Sequence, residues 1–463
     1  MAELAGSRRW LERVLALRPG EGQALAWSFA YFFCLLAGYY VLRPLRDEMG
    51  IAGGVRNLQW LFTATFVVML AAVPLFGALV ARLPRRQFIP LVYHFFVANI
   101  AIFWLLLTFD FARVEVARVF FVWISVFNLF AVSVFWSFMA DLFASEQGKR
   151  LFGFIAAGGS AGALVGPAMT IGLVGPLGPV NLLFVAAALL EFAVFCAWRL
   201  ESAAARRSKL QGAAIEESGV AAAPAAPVSQ SETKVLGGGW LAGIALMLRS
   251  PYLGGIALWV SLLSLAGTFL YLQQANIVAA ASDDPAVRTR IFASIDFAIG
   301  MLTILVQCFA TGRLIARFGV GAAAALLPLV FCLGFVVLAL APALLVVIAF
   351  QAVQRTANFA VSNPAREVLF TVLEREEKYK AKNVVDVVVF RGADALSAWL
   401  FAALRGAGIE LATISLATVP LAGVWLALAL ALGRAHERRA RHADIADDAS
   451  MSNMKRGVIV SRL

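Results

Sequence analysis

Twelve apolar stretches, each long enough to cross a bilayer as a helix, constrain the fold of this chain more than any other feature. A membrane-spanning helix needs about 20 mostly apolar residues. Helices also satisfy their own backbone hydrogen bonds, which lipid cannot do for them. The sequence therefore predicts an all-α membrane protein with twelve transmembrane helices. The stretches lie near residues 24–43, 58–81, 88–109, 116–140, 151–174, 179–199, 252–276, 291–313, 321–341, 343–362, 384–404 and 411–432.

The composition excludes an ordinary soluble chain. Of the 463 residues, 61% are hydrophobic and 14% are charged, against about 45–50% and about 25% in soluble domains. The net charge of +11 is explained first by basic cytoplasmic loops and second by an anionic solute, so we expect no nucleic-acid partner. The four cysteines lie within apolar stretches and form no CxxC pair, so no disulfide, metal site or cofactor is expected.

Polar segments divide the chain into two six-helix bundles, at 24–201 and 236–433. The linker at 202–235 is rich in Ala, Pro, Ser and charge, which predicts disorder. Residues 1–23 form an Arg-rich amphipathic segment, which is typical of a helix lying on the cytoplasmic surface. Residues 434–463 are predicted to be a loose cytoplasmic tail.

The two halves share a repeated run. GALVARL at 77–83 follows the second apolar stretch, and GRLIARF at 312–318 follows the eighth. A short basic loop after a helix end of this kind, once in each half, resembles the major facilitator architecture. That resemblance implies two six-helix bundles that rock about a solute site near the middle of the membrane.

The most unusual segment runs from residue 358 to residue 394. An apolar stretch stops at Asn363-Pro364, a dense charged loop follows, and the next apolar stretch still carries Arg391 and Asp394. Charges within a membrane helix are costly and often functional. A loop that only fixes topology is the alternative, and it accounts best for Glu374–Lys378.

Other polar side chains share helix faces, which must look at protein or water rather than lipid. Arg43 and Arg46 lie near the end of the first helix, Asp296 on the eighth and Arg355 on the tenth. Structural ion pairs and an aqueous cavity both explain such faces. For Arg43 and Arg46, pairing with the following acids is the structural alternative. Arg391 and Asp394 are three residues apart, which predicts a pair.

Five short runs between residues 24 and 432 carry a resemblance to a known family. They are Tyr40-Val41-Leu42-Arg43 with Arg46-Asp47, Ser250-Pro251-Tyr252, Phe292 with Asp296-Phe297, Asn363-Pro364-Ala365-Arg366-Glu367, and Lys378-Tyr379-Lys380-Ala381-Lys382 with Asp386. They resemble runs of the ATP/ADP translocases of plastids and obligate intracellular bacteria, the nucleotide transporter family. The last run is the most specific of the five.

The resemblance implies exchange of nucleotides across a membrane, with basic residues at the phosphates. Two features differ from the family: the fourth and seventh helices lack acidic residues, and Asp394 stands where the family has lysine. These differences favour a smaller anionic solute as an alternative. The candidate solute-binding residues are Arg43, Arg46, Asp296, Arg355, Lys380, Lys382, Asp386, Arg391 and Asp394.

Three hypotheses follow from these observations. The first is an anion or nucleotide exchanger in the inner membrane that works by alternating access. The second is a proton-coupled facilitator of an unrelated solute, with Glu191 or Asp296 as the proton site. The third is a membrane sensor or scaffold, which the repeated halves and the charges within helices argue against. We expect no enzymatic activity, because no soluble-enzyme motif is present.

We predict that both termini and the linker are cytoplasmic. With that orientation 29 of the 39 Lys and Arg residues lie inside and 8 outside, and Arg355 and Arg391 lie within helices. A single cysteine at residue 220, in a background without the native cysteines, should react with a membrane-impermeant maleimide only after the cells are opened. Labelling of intact cells would contradict the topology.

Overall fold

The computed structural model describes residues 21–82, 85–143, 145–218, 246–247, 249–309, 311–373, 377, 381–382 and 384–460. Within these residues twelve helices are long and apolar enough to cross a membrane, and no strand occurs. The prediction of an all-α, twelve-span membrane protein is therefore confirmed. The helices are α1 Gly22–Ala52, α2 Leu58–Arg82, α3 Arg85–Thr108, α4 Arg113–Leu142, α5 Ser145–Leu177, α6 Leu182–Ser218, α7 Pro251–Ala281, α8 Pro285–Phe309, α9 Thr311–Leu340, α10 Leu344–Leu369, α11 Val384–Gly406 and α12 Leu411–Val460.

The chain forms two compact units. Unit 1 comprises Met1–Val235 and Val278–Gly300, and unit 2 comprises Leu236–Ile277 and Met301–Leu463. The end of α7 and the first part of α8 therefore group with the first half of the sequence, whereas the hydropathy pattern alone assigns both helices to 236–433.

Unit 1 is organised around α1, which packs against α4, α5 and α6. The glycines of α5 make the closest approach. A Cβ atom built on Gly162 would lie 2.3 Å from the carbonyl oxygen of Phe33, and one on Gly158 would lie 2.6 Å from that of Phe29. Small residues allow helix backbones to come this near. The α5 glycines therefore serve helix packing.

Aromatic side chains fill the core of unit 1. Phe32 stacks on Phe135 with ring centroids 4.2 Å apart. The Tyr31 hydroxyl donates to the Tyr93 hydroxyl at 2.7 Å, and Tyr93 donates to the Ala131 carbonyl at 3.2 Å. Both buried hydroxyls thus have partners, as a low-dielectric core requires.

Unit 2 has its own close helix contact and its own core. A Cβ atom on Gly433 of α12 would lie 2.2 Å from the Cα atom of Gly321 in α9. Trp259 and Trp425 are fully buried with ring centroids 5.7 Å apart. Close packing of α9 against α12 therefore forms one side of the core of unit 2.

Two π-helical turns flank the charged segment of unit 2. Asn358–Ser362 interrupts α10, which resumes as an α-helix over Asn363–Leu369, and Val384–Val389 begins α11. Such turns widen the helix locally and are frequent at functional sites. The helix thus continues past Asn363-Pro364, where the apolar pattern stops.

Two helices extend beyond their predicted ends. Helix α6 continues to Ser218, into the range predicted as a disordered linker, and α12 continues to Val460, where a loose tail was expected. The physical reason lies in composition, because both extensions are rich in Ala and Arg, which favour helix even outside the membrane. The rest of the linker, like the amphipathic segment up to residue 20, lies outside the described residues.

We predict that Gly162→Ala lowers the melting temperature of the detergent-purified protein. The added methyl group would collide with the backbone of α1, and overpacking of this kind costs about 1–3 kcal/mol. Gly172→Ala, in the same helix, is the matched control, because nothing lies within 4 Å of its Cβ position. Equal melting temperatures for the two variants would contradict the packing role of Gly162.

Candidate functional site

The first buried ion pair of unit 1 joins α1 to α8. Arg43 Nη1 lies 3.2 Å from Asp296 Oδ1, and the two side chains are 11% and 2% exposed. The Tyr40 ring lies against the guanidinium, at 5.5 Å from its centroid. Both predicted residues are thus brought together in one place, in a setting where charges interact strongly.

Arg46 has a neighbouring partner on its own helix. Its Nε and Nη2 atoms donate to Asp47 Oδ1 at 3.1 and 2.8 Å, and the guanidinium packs over the Phe121 ring at 4.8 Å. This is the pairing that the structural alternative expects. It is not a surface pair, however, because Asp47 is buried.

A second interhelical pair was missed by sequence reasoning. Arg288 Nη2 donates to Glu48 Oε1 at 2.7 Å, and its Nη1 donates to the Ser282 carbonyl at 3.2 Å. Both charged residues are buried. The two residues are 240 positions apart in the sequence. The position of Glu48 beside Arg46 and Asp47 does not indicate so distant a partner.

The polar centre of unit 2 is Asp394 on α11. Arg391 Nη1 lies 3.4 Å from Asp394 Oδ2, so the predicted pairing of these two residues is confirmed. From α7, the Ser264 and Thr268 hydroxyls lie 2.5 and 3.1 Å from Asp394 Oδ1. Ser264 also lies 3.1 Å from the Phe390 carbonyl oxygen. We call these residues, together with Arg391, the Asp394 cluster.

The ends of α10 and α11 that flank the charged loop are joined by two further pairs. Arg366 lies 3.5 Å from Asp386, and Lys382 lies beside Glu367. The predicted solute contacts Lys382 and Asp386 are therefore engaged with α10. Lys380, the remaining candidate of the loop, lies outside the described residues.

The polar face of α10 is partly occupied by a glutamine network. Gln351 donates to Gln274 of α7 at 2.5 Å, and Gln354 donates to Gln351 at 2.8 Å. Arg355 is half-buried on the same helix. Within the described residues, buried oxygens of Asn358 and Ser362 have no hydrogen-bond partner. This stretch therefore offers polar groups beyond those that the fold uses.

Glu191 lies in a more open position than Asp296 and Asp394. Its Oε2 atom is 3.4 Å from His94 Nε2, and the two side chains are 44% and 55% exposed. His94 Nδ1 also lies 2.8 Å from the Pro90 carbonyl oxygen. The pair joins α3 to α6, well exposed at the surface of unit 1.

An apolar cavity of about 1030 Å³ lies among α2, α3 and α4 of unit 1. Arg118 is the charged residue in its lining, and its Nε donates to the Gly53 carbonyl at 2.9 Å. Apolar walls give an anion no compensating groups, so this cavity is not a candidate for a charged solute.

Four of the five runs that carry the family resemblance meet in pairs, each pair within one unit. In unit 1, Arg43 of the first run pairs with Asp296 of the third. In unit 2, Arg366 and Glu367 pair with Asp386 and Lys382, which joins the fourth run to the fifth. The Tyr252 hydroxyl of the second run donates to the Leu369 carbonyl at 2.8 Å.

Comparison with solved structures identifies the fold. The chain aligns with a mutant of the nucleoside transporter NupG at a TM-score of 0.61, with 12% identity over 89% of this chain and 98% of that one. A bacterial homologue of the iron transporter ferroportin in an inward-facing state aligns at 0.61, with 13% identity over 89% and 98%. A POT family transporter in complex with 5-aminolevulinic acid aligns at 0.57, with 13% identity over 90% and 96%.

The chain therefore has the major facilitator fold, as the repeated run predicted. Neither a protein-family model nor a curated protein sequence matches it. At 12–13% identity the alignments establish architecture and leave the solute to be argued from the residues of this chain.

We predict that Glu48→Gln lowers the melting temperature of the purified protein strongly, because it leaves the buried Arg288 unpaired. Loss of one partner of a buried pair costs about 3–5 kcal/mol. The double variant Glu48→Gln with Arg288→Gln should recover part of the loss. Asp110→Asn is the control, since its pair with Arg113 is 71% and 49% exposed and is worth about 1 kcal/mol or less. Equal effects of Glu48→Gln and Asp110→Asn would contradict the buried pair.

Proposed function

We propose that the protein is a transmembrane transporter that works by alternating access and exchanges organic anions, with nucleotides of the ATP/ADP type as the first class to test. The observation that carries the proposal is the set of arginines within the spans, Arg43, Arg46 and Arg391, each beside a carboxylate. Apolar side chains in place of a buried ion pair often leave stability unchanged or improve it. The presence of several such pairs in membrane helices supports a role beyond stability.

Arginine favours an anionic solute over a neutral one. The guanidinium presents a planar fork of N–H donors that matches two oxygens of a phosphate or carboxylate. In the described state a protein carboxylate occupies this fork at Arg43 and at Arg391. An anionic solute would take the place of that carboxylate, so that the guanidinium stays compensated while the solute is bound.

Two observations support nucleotides among the anions. Within each unit, runs that resemble the ATP/ADP translocases contact one another, the first run with the third and the fourth with the fifth. The fold is also shared with the nucleoside transporter NupG. Nucleoside diphosphates and triphosphates need several cations, and Arg355, Lys380 and Lys382 are the further candidates. Asp394, at a position where the family has lysine, favours fewer phosphates or a smaller carboxylate.

The second candidate is a proton-coupled facilitator of an unrelated solute. It is favoured by the buried carboxylate of Asp296, a titratable group within α8. Glu191 fits this role less well, because its side chain is nearly half exposed beside His94. For either candidate we place the protein in the inner membrane with both termini in the cytoplasm, on the strength of the Lys and Arg distribution.

Counterflow in proteoliposomes tests the proposal. Vesicles loaded with unlabelled ADP should take up labelled ADP, whereas empty vesicles should not. Inorganic phosphate, a dicarboxylate and a nucleoside complete the panel. Uptake of the nucleoside alone, driven by a pH gradient, would favour the second candidate. No flux of any of these solutes would contradict the proposed anion exchange.

We predict that Arg46→Gln raises the apparent Km of the transported anion at least about tenfold, which corresponds to about 1.4 kcal/mol. Arg46→Lys should be partly tolerated if a point charge is sufficient. Arg56→Gln is the matched control, because Arg56 is an exposed arginine in the turn that follows α1. Wild-type kinetics in Arg46→Gln, at normal abundance, would leave Arg46 with only its structural pair to Asp47.

A further inference from the structure

We propose that Asp394 binds a proton, and that its protonation releases Arg391 to bind the anion, so that proton and anion cross the membrane together. This inference rests on the proposed transport of an anion and adds the ion that drives it. The observation behind it is the arrangement of the Asp394 cluster, in which the same few polar groups serve either state of the carboxyl.

The ionised carboxylate has three donors. Oδ1 accepts from the Ser264 and Thr268 hydroxyls, and Oδ2 lies beside the Arg391 guanidinium. A serine hydroxyl carries one hydrogen. While Ser264 donates to the carboxylate, it cannot also donate to the Phe390 carbonyl oxygen, although that oxygen lies 3.1 Å away.

A rearrangement of hydrogens satisfies the protonated carboxyl at Oδ1. A proton on Oδ1 is donated to the Ser264 oxygen, and the Ser264 hydrogen then goes to the Phe390 carbonyl. Thr268 continues to donate to Oδ1. No heavy atom of α7 has to move, and the Ser264, Thr268 and Phe390 groups all keep hydrogen-bond partners. The usual cost of changing charge in a core falls on Asp394 Oδ2, which gives up the Arg391 donor. Only the ion pair with Arg391 is lost.

The groups that face Asp394 leave Arg391 as its charged partner. Helix α7, which supplies both hydroxyls, contains no charged residue between Pro251 and Ala281, and its titratable side chains are Tyr252 and Tyr271. Helix α12 contains none between Leu411 and Gly433. On α11 itself the other charges are Asp386, which pairs with Arg366, and Arg405, which lies at the far end of the helix.

Arg391 is also the arginine best placed to receive a solute. Its side chain is 35% exposed, whereas the arginines that pair with the other buried carboxylates are 11–26% exposed. A proton on Asp394 removes the competing negative charge, so the guanidinium binds an anion more tightly. By linkage, a bound anion raises the affinity of Asp394 for the proton by the same factor. Because the proton and the anion each strengthen the binding of the other, the two are carried across the membrane in the same direction.

The first arm of the test needs no solute. Infrared difference spectra of the full-length purified protein, recorded between about pH 5 and pH 9, should show the C=O band of a protonated carboxyl. That band should be absent in Asp394→Asn and unchanged in Glu191→Gln, the matched control for another carboxyl within a span. If Asp394→Asn leaves every carboxyl band in place, Asp394 does not exchange a proton and the proposal is overturned, whatever the solute.

The second arm uses labelled ADP and labelled inorganic phosphate as probes in proteoliposomes. An acidic exterior should stimulate uptake of the transported probe about tenfold, within the usual range of coupling between two sites. Asp394→Asn, whose amide carries the neutral charge of the protonated carboxyl, should lose this stimulation, measured against its own uptake at a neutral exterior. Glu191→Gln should keep this stimulation.

The outcomes separate the inference from the proposed function. If the wild type exchanges a probe at a rate that does not depend on the pH gradient, the proton coupling is overturned and the proposed anion exchange still stands. Loss of stimulation in Glu191→Gln rather than in Asp394→Asn assigns the proton to another carboxyl and overturns the inference. A titrating Asp394 band without flux of either probe overturns both, through failure of the proposed anion transport.

Discussion

Pairing of every buried carboxylate with arginine is the constraint on which the polar part of this structure depends. In the described residues five carboxylates are buried, those of Glu21, Asp47, Glu48, Asp296 and Asp394. Each lies within 3.4 Å of an arginine nitrogen. An isolated charge is costly in a membrane core, and arginine keeps its charge where a buried lysine would lose a proton. The pairs therefore decide where polar helix faces can lie.

The interhelical pairs also explain how the chain divides into units. Helix α8 follows α7 in the second half of the sequence, yet residues 278–300 group with unit 1. Arg43–Asp296 and Glu48–Arg288 tie the first part of α8 to α1. Close packing of Gly300 against α5 adds to this. Hydropathy divides the sequence by its long polar linker, but it carries no information about which helices the charges bring together.

The parts of the fold that the sequence predicted are those that depend on local pattern. The length of the apolar stretches predicted all twelve spans. The spacing of three residues predicted the pair of Arg391 with Asp394. The pair of Glu48 with Arg288 depends on tertiary contact across 240 residues, which no local pattern encodes. Helix α6 ends at Ser218 and α12 at Val460, beyond their predicted ends. Hydropathy identifies the part of a helix that lies in the bilayer and gives no signal for the part that continues outside it. The roles of the candidate residues in binding solute stay predictions, since the structure shows their contacts within the protein only.

The two kinds of pair suit two different tasks. Arg391 and Asp394 lie on the same helix, so separating them leaves the contacts between helices in place. Arg43 with Asp296, and Glu48 with Arg288, lie on different helices, and separating them loosens α1 from α8. A solute that competes for an intrahelical arginine can therefore bind without a change of packing. One that competes for an interhelical arginine must move a helix, and this is how binding becomes coupled to conformational change.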